Sequence, residues 1–282
     1  MAEEPGDEGF LPLRMFFNEG MADRRGHARE QRVSGHVSKP GHRGRPSPRA
    51  RRLSRADIVD IAVAIADAEG TGAVSMRRIA KDLQVGVMSL YWHVESKEQL
   101  HQLMTETVQA EIEAPEPSGD WRADLTRYAR NTRAAVHRHP WAMDYLGAGP
   151  PSGPNDARNA DRLIGALDGL GLDPMTVMWT LLTLGTYVMG AVLREIQEAR
   201  WHRALAATTA EMSEEDVSRA FDEFDRRTRG SGLYPNLVKI LNAGIDPDAP
   251  EGRDDRFEFG LSCLLDGIAD RIRRGQDRPR AD

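Results

Sequence analysis

The spacing of apolar residues constrains the fold more than any other feature, because from Ser54 onward it is helical almost throughout. Ser54 is a favourable N-cap, and Gly70 ends the apolar run that follows it. The residues expected to face inward in this first helix are Ile58, Ile61, Ala62 and Ile65. The sequence contains no sustained alternation of apolar and polar residues of the kind that indicates strands. We therefore predict an all-α fold.

Capping residues and helix breakers divide the rest of the chain into further helices. Ser75 caps a second short helix, and a turn around 84–86 leads into a third helix over 87–93. Ser96 and Gln99 form a capping-box pattern that opens a fourth helix, which the prolines after it end. The same signals predict further helices at about 121–138, 156–170, 174–200, 213–226, 237–241 and 254–273.

The net charge of −6, from 38 basic and 44 acidic residues, is distributed unevenly along the chain. Residues 24–55 carry eleven basic side chains and one acid, among many Gly, Pro, Ser and His residues. Such a segment cannot bury enough apolar area to offset its ordering entropy, so residues 1–52 are predicted to form a disordered basic arm. Its Arg43-Gly-Arg45-Pro run resembles the core of an AT-hook, which follows a narrow minor groove. Arg43 and Arg45 are therefore candidate DNA contacts, and a solvated linker without a partner is the alternative.

Two further features bear on the compartment. The single cysteine, Cys263, excludes an intrachain disulfide framework, favours a cytoplasmic protein and is expected to pack in a buried position.

Residues 174–193 contain no charged side chain, and this length alone would admit a membrane span. The run holds four threonines and two glycines and has no flanking basic clusters. We instead predict a buried helix of a large core or of a dimer interface, and no membrane partner.

Two short helices joined by a tight turn, the second rich in Ser, Tyr, Trp and His, are typical of a helix-turn-helix. Residues 53–113 resemble the DNA-binding domain of the tetracycline-repressor (TetR) family. This resemblance is carried by the runs Arg77-Arg78-Ile79-Ala80-Lys81-Asp82-Leu83 and Ser89-Leu90-Tyr91-Trp92-His93-Val94, with Lys97 beyond. Further runs, Gly190-Ala191-Val192-Leu193 and Phe257 to Ile268, resemble the dimerisation helices of the family. The resemblance implies an N-terminal three-helix domain with its connecting helix at 53–113, and a larger ligand-binding and dimerisation domain at 114–282.

The resemblance also implies roles at the DNA. In the family an arginine at the position of Arg77 reads a base, and a guanidinium can bond guanine bidentately. Val87 and Met88 begin the recognition helix, where they can pack on a thymine methyl group but cannot hydrogen-bond a base edge. Ser89 can reach a base or a phosphate. The positions that clamp the DNA backbone in the family hold Tyr91, Trp92, His93 and Lys97.

Structural alternatives exist for three of these side chains. Tyr91 and Trp92 can instead pack inside the three-helix core, and Lys97 can be a solvated surface lysine. The remaining apolar residues of the region, Leu83, Val85 and Leu90, are assigned to the core.

In the family the second domain dimerises through a four-helix bundle and encloses a small-molecule pocket; helices 174–200 and 254–273 would form that bundle. The candidate pocket residues are His137, Trp141, Tyr145, Trp179, Thr183, Tyr187 and Arg194. Each can equally be an ordinary core residue, because pockets and cores are lined by the same residue types.

A local alignment places Tyr145 and Arg194 where the tetracycline repressor holds its drug–magnesium complex with a histidine and a glutamate. Neither side chain suits Mg²⁺, so no metal, no cofactor and no Mg²⁺-dependent tetracycline binding are predicted. Glu195 or Glu198 would take the glutamate position if the alignment slips. Arg194 favours an anionic or carbonyl-rich ligand.

The sequence holds none of the common catalytic motifs, so we predict no enzyme. The resemblance implies a homodimeric repressor that binds a pseudo-palindromic operator in double-stranded DNA and is released by a small-molecule effector. One alternative is a catalytic or small-molecule-binding helical protein in which the helix-turn-helix is a scaffold. Another is a ligand-independent DNA-architectural protein.

Overall fold

The computed structural model describes residues 53–146, 153–210, 212–244 and 249–276. In the described residues every regular element is helical and no strand occurs, which confirms the predicted all-α fold. The longer helices are α1 (Arg55–Glu69), α2 (Met76–Asp82), α3 (Val87–Tyr91), α4 (Lys97–Ile112), α5 (Trp121–Arg138), α6 (Pro154–Ala166), α7 (Pro174–Ala210), α8 (Glu214–Thr228), α9 (Pro235–Asn242) and α10 (Arg253–Gln276). The predicted basic arm, with Arg43 and Arg45, lies outside the described residues.

Serine caps set the starts of the first helices. The Ser54 hydroxyl accepts from the Asp57 backbone N–H, and Asp57 accepts from the Ser54 backbone N–H, which completes a capping box on α1. Ser75 caps α2 through a single bond from the backbone N–H of Arg78. The predicted capping box at Ser96 is half wrong. Ser96 accepts from the Gln99 backbone, but the Gln99 side chain accepts instead from Glu95, one residue before the cap.

The ends of two later helices differ from the prediction. Helix α6 begins at Pro154 and ends at Ala166, before Gly169 and Gly171, both of which have positive φ angles of +72° and +76°. Helix α7 continues ten residues past its predicted end, to Ala210. Residues 201–210 include four alanines and no glycine or proline, so nothing in this stretch stops a helix.

The described residues separate into two compact units, residues 53–197 with 254–276 and residues 198–253. The smaller unit contains the end of α7 together with α8 and α9, and in it Ser213 caps α8 and Leu241 is buried. The larger unit contains two apolar clusters. The first joins α1, α2, α3 and α4 to the turn Pro140–Asp144, and the second joins α5, α6, α7 and α10. Tyr128 and Leu146 contact both clusters.

Helices α7 and α10 pair along one face and leave another open. Leu184 and Val188 of α7 are buried in the same cluster as Phe257 and Leu261 of α10. Other large apolar side chains of these helices are exposed, namely Met175, Met178, Trp179, Leu182, Leu193 and Phe259. By length and composition α7 could cross a membrane. Within the chain 22% of its apolar window is buried, so the alternative of a helix buried in a large core is wrong for the single chain, and the dimer interface stays a prediction. The prediction that Cys263 is buried is wrong for the single chain, where this α10 residue is exposed.

Candidate DNA interface and ligand cavity

The short helix α3 presents large side chains to solvent beside a buried anchor. Leu90 is fully buried in the first cluster, which fixes the orientation of the helix. Met88 is 73% exposed and Trp92, at the end of the helix, is 88% exposed. Tyr91 is 44% exposed. The alternative in which Trp92 packs inside the three-helix core is therefore wrong, and Tyr91 also stays largely outside it. Exposed aromatic and thioether groups grouped on one short helix are typical of an interaction surface.

The remaining side chains predicted to meet DNA differ in exposure. Ser89 and Lys97 are exposed, and Val87 is half-buried because it packs against the first cluster. The half-buried residue His93 accepts a hydrogen bond at its backbone oxygen from Arg55 Nε, at 2.9 Å. This bond ties the start of α1 to the segment after α3.

Two adjacent arginines on α2 have different surroundings. Arg78 bonds Glu69 at 2.9 Å and Asp82 at 3.0 Å, and these carboxylates raise the pKa of its guanidinium. Arg77 is exposed, and no ion pair to it is found among the described residues. The guanidinium of Arg77 can therefore turn toward a base or phosphate without first breaking an ion pair.

The turn between helices α2 and α3 has a defined backbone geometry. Gln84 has φ +56°, a left-handed conformation that non-glycine residues seldom adopt. The Val85 N–H donates to the Ala80 carbonyl at 2.9 Å, and this hydrogen bond caps the C-terminal end of α2 before the chain enters α3. The predicted helix over 87–93 ends two residues early, at Tyr91.

A polar cluster joins α1 to the turn that follows α5. Asp67 of α1 accepts from Trp141 Nε1 at 2.7 Å and lies 2.8 Å from His139 Nδ1. The other ring nitrogen of His139 is 3.3 Å from Glu111, which also pairs with Arg138 at 2.8 Å. Trp141 is buried in the first apolar cluster. The candidate pocket residue Trp141 therefore connects α1 to the turn that follows α5.

A second cluster surrounds the buried carboxylate of Glu195 on α7. His137 Nε2 lies 2.5 Å from it, and Arg133 lies 3.0 Å from it and 2.8 Å from Asp254. Burial acts to raise the pKa of Glu195, but hydrogen bonds from His137 and Arg133 outweigh it, so the pKa is lowered. The Arg133 guanidinium also lies over the Phe257 ring, 4.6 Å from its centroid. A magnesium ion at Glu195 would stand beside a guanidinium, so these residues do not fit a Mg²⁺ complex.

The other predicted pocket residues lie in two places. The Tyr145 hydroxyl is 3.2 Å from His101 Nδ1, in the first apolar cluster. Trp179, Thr183 and Tyr187 line a shallow surface groove with Leu264, and Tyr187 donates to the Phe257 carbonyl at 2.5 Å. Arg194 is exposed on α7.

A cavity of about 580 Å³ lies among α4, α5, α6 and α7, within the size range of small-molecule sites. Most of its lining is aliphatic or thioether, including Ile112, Leu163 and Leu184. Its polar lining consists of Gln109, Tyr128, Thr132, Asp156, Asn159 and Thr186. None of the residues predicted to bind ligand lines this cavity, so their role stays a prediction without support from the cavity.

A line of hydrogen bonds joins α4 to α6 along one side of the cavity. Asn159 donates to the Gln109 backbone oxygen at 2.9 Å and accepts from the Ala114 N–H at 3.0 Å. Gln109 Nε2 donates to Asp156 at 3.1 Å, and Glu106 accepts from the Asn155 N–H at the start of α6. We call these contacts the α4–α6 seam. Gln109 and Asn159 are polar residues on otherwise apolar helix faces, a signal that could have directed attention to this site.

In the part of the chain that the structure describes, no group of three or more His, Cys, Asp or Glu side chains is arranged to hold a metal ion.

Two family models match the chain. One, described as bacterial regulatory proteins of the tetR family, matches residues 58–103. The other, described as the C-terminal domain of tetracyclin repressor-like proteins, matches residues 114–272. The matched segments therefore contain both the exposed α3 surface and the cavity.

Curated relatives are named as regulators of transcription. The HTH-type transcriptional repressor DrrR1 of Streptomyces coeruleorubidus is 33% identical over 226 residues, covering 79% of this chain and 80% of that protein. The class E tetracycline repressor protein of Escherichia coli is 30% identical over 236 residues, covering 82% of this chain and 98% of that protein.

Solved structures give the same likeness in three dimensions. The crystal structure of ActR, a TetR family protein of Streptomyces coelicolor, in complex with actinorhodin has a TM-score of 0.61 and 28% sequence identity. The likeness covers 79% of this chain and 99% of that one.

Proposed function

The chain belongs to the TetR family of bacterial transcription regulators, and from this premise we propose that it is a ligand-responsive repressor acting as a homodimer on a pseudo-palindromic operator. The observation that carries the proposal is the surface of α3, which exposes Met88 and Trp92 while Leu90 anchors the helix in the core. A helix with such a surface fits the major groove, where base edges can be distinguished.

Each candidate side chain has a proposed role at the DNA. Arg77 reads a base, and Met88 packs with Val87 on a thymine methyl group. Ser89 contacts a base or a phosphate, and the backbone contacts are assigned to Tyr91, Trp92, His93 and Lys97, which fix the register without reading sequence. Arg43 and Arg45 of the basic arm add phosphate or minor-groove contacts, which makes the total affinity steeply salt-dependent.

The second copy is proposed to cover the open face of α7 and α10. Trp179 is 62% exposed and Phe259 is 73% exposed, and a water-facing pair of apolar helices is stabilised by burial. A two-fold dimer through this face would place two copies of α3 in successive major grooves on one side of the duplex. The apolar composition of α7 then reflects an interface, and the protein needs no membrane and acts in the cytoplasm.

The ligand is proposed to occupy the cavity bounded by α4, α5, α6 and α7. ActR, a structural relative, was crystallised in complex with actinorhodin. Helix α4 runs from Lys97 in the DNA-binding part to Ile112 at the cavity, so a shift of its cavity end also moves α3. Ligand binding then favours a dimer that no longer matches the operator. By linkage, DNA binding must lower the affinity for the ligand by the same factor.

Because the named relatives regulate transcription, we infer no catalytic activity and no cofactor.

The substitution Arg77→Ala tests this proposal against its rivals. The assay is fluorescence anisotropy of the full chain on a labelled operator that the wild type has selected from random DNA. A bidentate base contact contributes about 1–3 kcal/mol, so we expect about a five- to 150-fold loss of specific affinity.

Arg78→Ala is the matched control, because the Arg78 guanidinium is already held by Glu69 and Asp82. Its effect on operator affinity should be clearly smaller, and both variants should keep the helical circular dichroism signal. Wild-type affinity in the Arg77→Ala variant would instead support a protein that uses the helix-turn-helix as a scaffold, or one that binds DNA through its arm alone.

A further inference from the structure

Most polar side chains that line the cavity already have hydrogen-bond partners within the chain. Asn159 Nδ2 donates to the backbone oxygen of Gln109 at 2.9 Å and to its side-chain oxygen at 3.2 Å. The hydroxyls of Thr132 and Thr186 each donate to the carbonyl four residues earlier in their own helix, at 2.9 Å and 2.8 Å. The cavity wall therefore does not depend on a polar ligand to satisfy its buried groups.

The wall offers no counter-charge to an anion. No lysine, arginine or histidine belongs to the described residues of the lining. Burial raises the pKa of the Tyr128 phenol, so this group is uncharged at neutral pH. An anion that entered the cavity would lose its hydration without gaining an ion pair, and this costs free energy.

A cation would have to compete for the one carboxylate in the described lining, that of Asp156. Asp156 accepts from Gln109 Nε2 at 3.1 Å, so its carboxylate is already engaged in the α4–α6 seam. A protonated amine at this carboxylate would disturb the seam, and the rest of the wall is too apolar to replace the lost hydration. Both signs of charge are therefore unfavourable in a ligand.

The apolar part of the lining indicates the body of the ligand. Met143, Met178 and Met189 line the cavity together with aliphatic side chains. Thioethers adapt their shape and make favourable contacts with aromatic rings. Such a lining suits a flat ring system of drug-like size, which gains affinity from the apolar area it buries.

We propose that the effector is an uncharged, largely apolar molecule of several fused rings, held in this cavity by burial of its rings and without an ion pair. The inference rests on the proposed function only for the role of effector, since the preference for a neutral ligand is a property of the cavity itself. It replaces the expectation of an anionic ligand at Arg194, because Arg194 is not part of the cavity lining.

Three probes of matched shape test the preference: hydroxymethylanthracene as the neutral form, aminomethylanthracene as the cation and anthracene carboxylate as the anion. Their binding to the full wild-type chain is measured by fluorescence titration at pH 7 without DNA. We expect the alcohol to bind at least about tenfold more tightly than either charged probe, because only the charged probes lose strong hydration without compensation.

A variant that fills the cavity locates the bound probe. Gly185 of α7 lines the cavity, and a Cβ at this position would meet no atom within 4 Å outside its own stretch of helix. Gly185→Leu should therefore fold, occupy part of the cavity and weaken the alcohol at least about tenfold. Ala157→Leu is the control, because Ala157 is an exposed residue of α6 outside the lining. It should leave the affinity within about twofold, and both variants should keep the helical circular dichroism signal.

The proposal is overturned if either charged probe binds as tightly as the alcohol, or if none of the three binds. It is also overturned if a folded Gly185→Leu protein binds the alcohol as the wild type does, since the probe then lies outside the cavity. The ranking of the probes in the wild type decides the matter even if Gly185→Leu does not fold. Operator affinity, measured separately, distinguishes the two claims. A wrong ligand class leaves specific DNA binding intact, whereas a protein that binds no operator refutes the proposed function and not the preference for a neutral ligand.

Discussion

At the scale of single residues, ion pairs decide which charged side chains remain available. Arg77 and Arg78 are neighbours of the same type, yet Arg78 is held by two carboxylates while Arg77 is exposed. In the same way, Glu195 has the residue type expected of a metal ligand but is committed to His137 and Arg133. The partners of Arg78 lie four and nine residues away, but those of Glu195 lie about 60 residues away, where sequence alone does not identify them.

The depressed pKa of Glu195 predicts a dependence of stability on pH. A carboxylate with a lower pKa in the folded state adds stability above its ordinary pKa of 4.5, and this is lost as the pH falls through the folded value. Glu195→Gln should lower the free energy of unfolding at pH 7 by about 1–3 kcal/mol and reduce its decline on acidification. Urea unfolding across this pH range measures both.

Glu95→Gln is the matched control for this prediction, because Glu95 is exposed. It should change neither the stability at neutral pH nor its decline in acid. A Glu195→Gln protein that loses stability on acidification as steeply as the wild type would contradict the assignment.

At the scale of elements, α4 and its seam with α6 connect the DNA surface to the cavity. Helix α4 starts after Ser96, beside the end of α3, and its far end lines the cavity at Gln109 and Ile112. The turn after α5 adds a second connection, through Asp67 and Trp141. Under the proposed mechanism, these hydrogen bonds would carry a displacement at the cavity to the DNA-binding helices.

The buried amide of Asn159 should be the most sensitive point of the seam. Asn159→Ala removes the acceptor of the Ala114 N–H and the donor to Gln109, so it should destabilise the protein by about 1–3 kcal/mol. Asn131→Ala, which removes one exposed bond to the Glu113 carbonyl, should cost far less. Chemical unfolding of both variants checks this. Equal losses would mean that the seam adds no stability beyond that of a surface bond.

Local signals predicted the helices better than the site. Serine caps at Ser54 and Ser75 act within three residues, so the starts of α1 and α2 follow from the sequence. The extension of α7 was missed because its polar alanine-rich end has helix propensity but no apolar stripe. The cavity was missed because aliphatic residues such as Leu163 and Leu184 have the same periodicity in a cavity wall as in a core. Only tertiary packing separates the two.

At the scale of the whole molecule, α7 and α10 leave an apolar face exposed, which the proposed second copy would cover. Phe259 and Trp179 together expose large aromatic surfaces, although Phe257 and Leu261 on the same α10 helix are buried. The apolar residues that pack against the core and those that face outward both have helical spacing. The sequence pattern therefore predicted apolar helices but not which of their faces a partner would cover.

Phe259→Asp should convert the dimer to a monomer, because it places a charge in an apolar interface. Sedimentation equilibrium should show the change, and operator affinity should fall with it since one recognition helix makes half of the contacts. Ala134→Asp, on the exposed side of α5, is the control and should remain dimeric. A Phe259→Asp variant that stays dimeric would place the interface elsewhere.

The central claim is that two copies of α3 read one operator, and selection of binding sites from random DNA by the full wild-type chain tests it most directly. We expect an enriched sequence of two inverted half-sites, with centres about one helical turn of 10–10.5 bp apart or a multiple of it. Enrichment of no sequence, or of a single half-site without an inverted repeat, would contradict it.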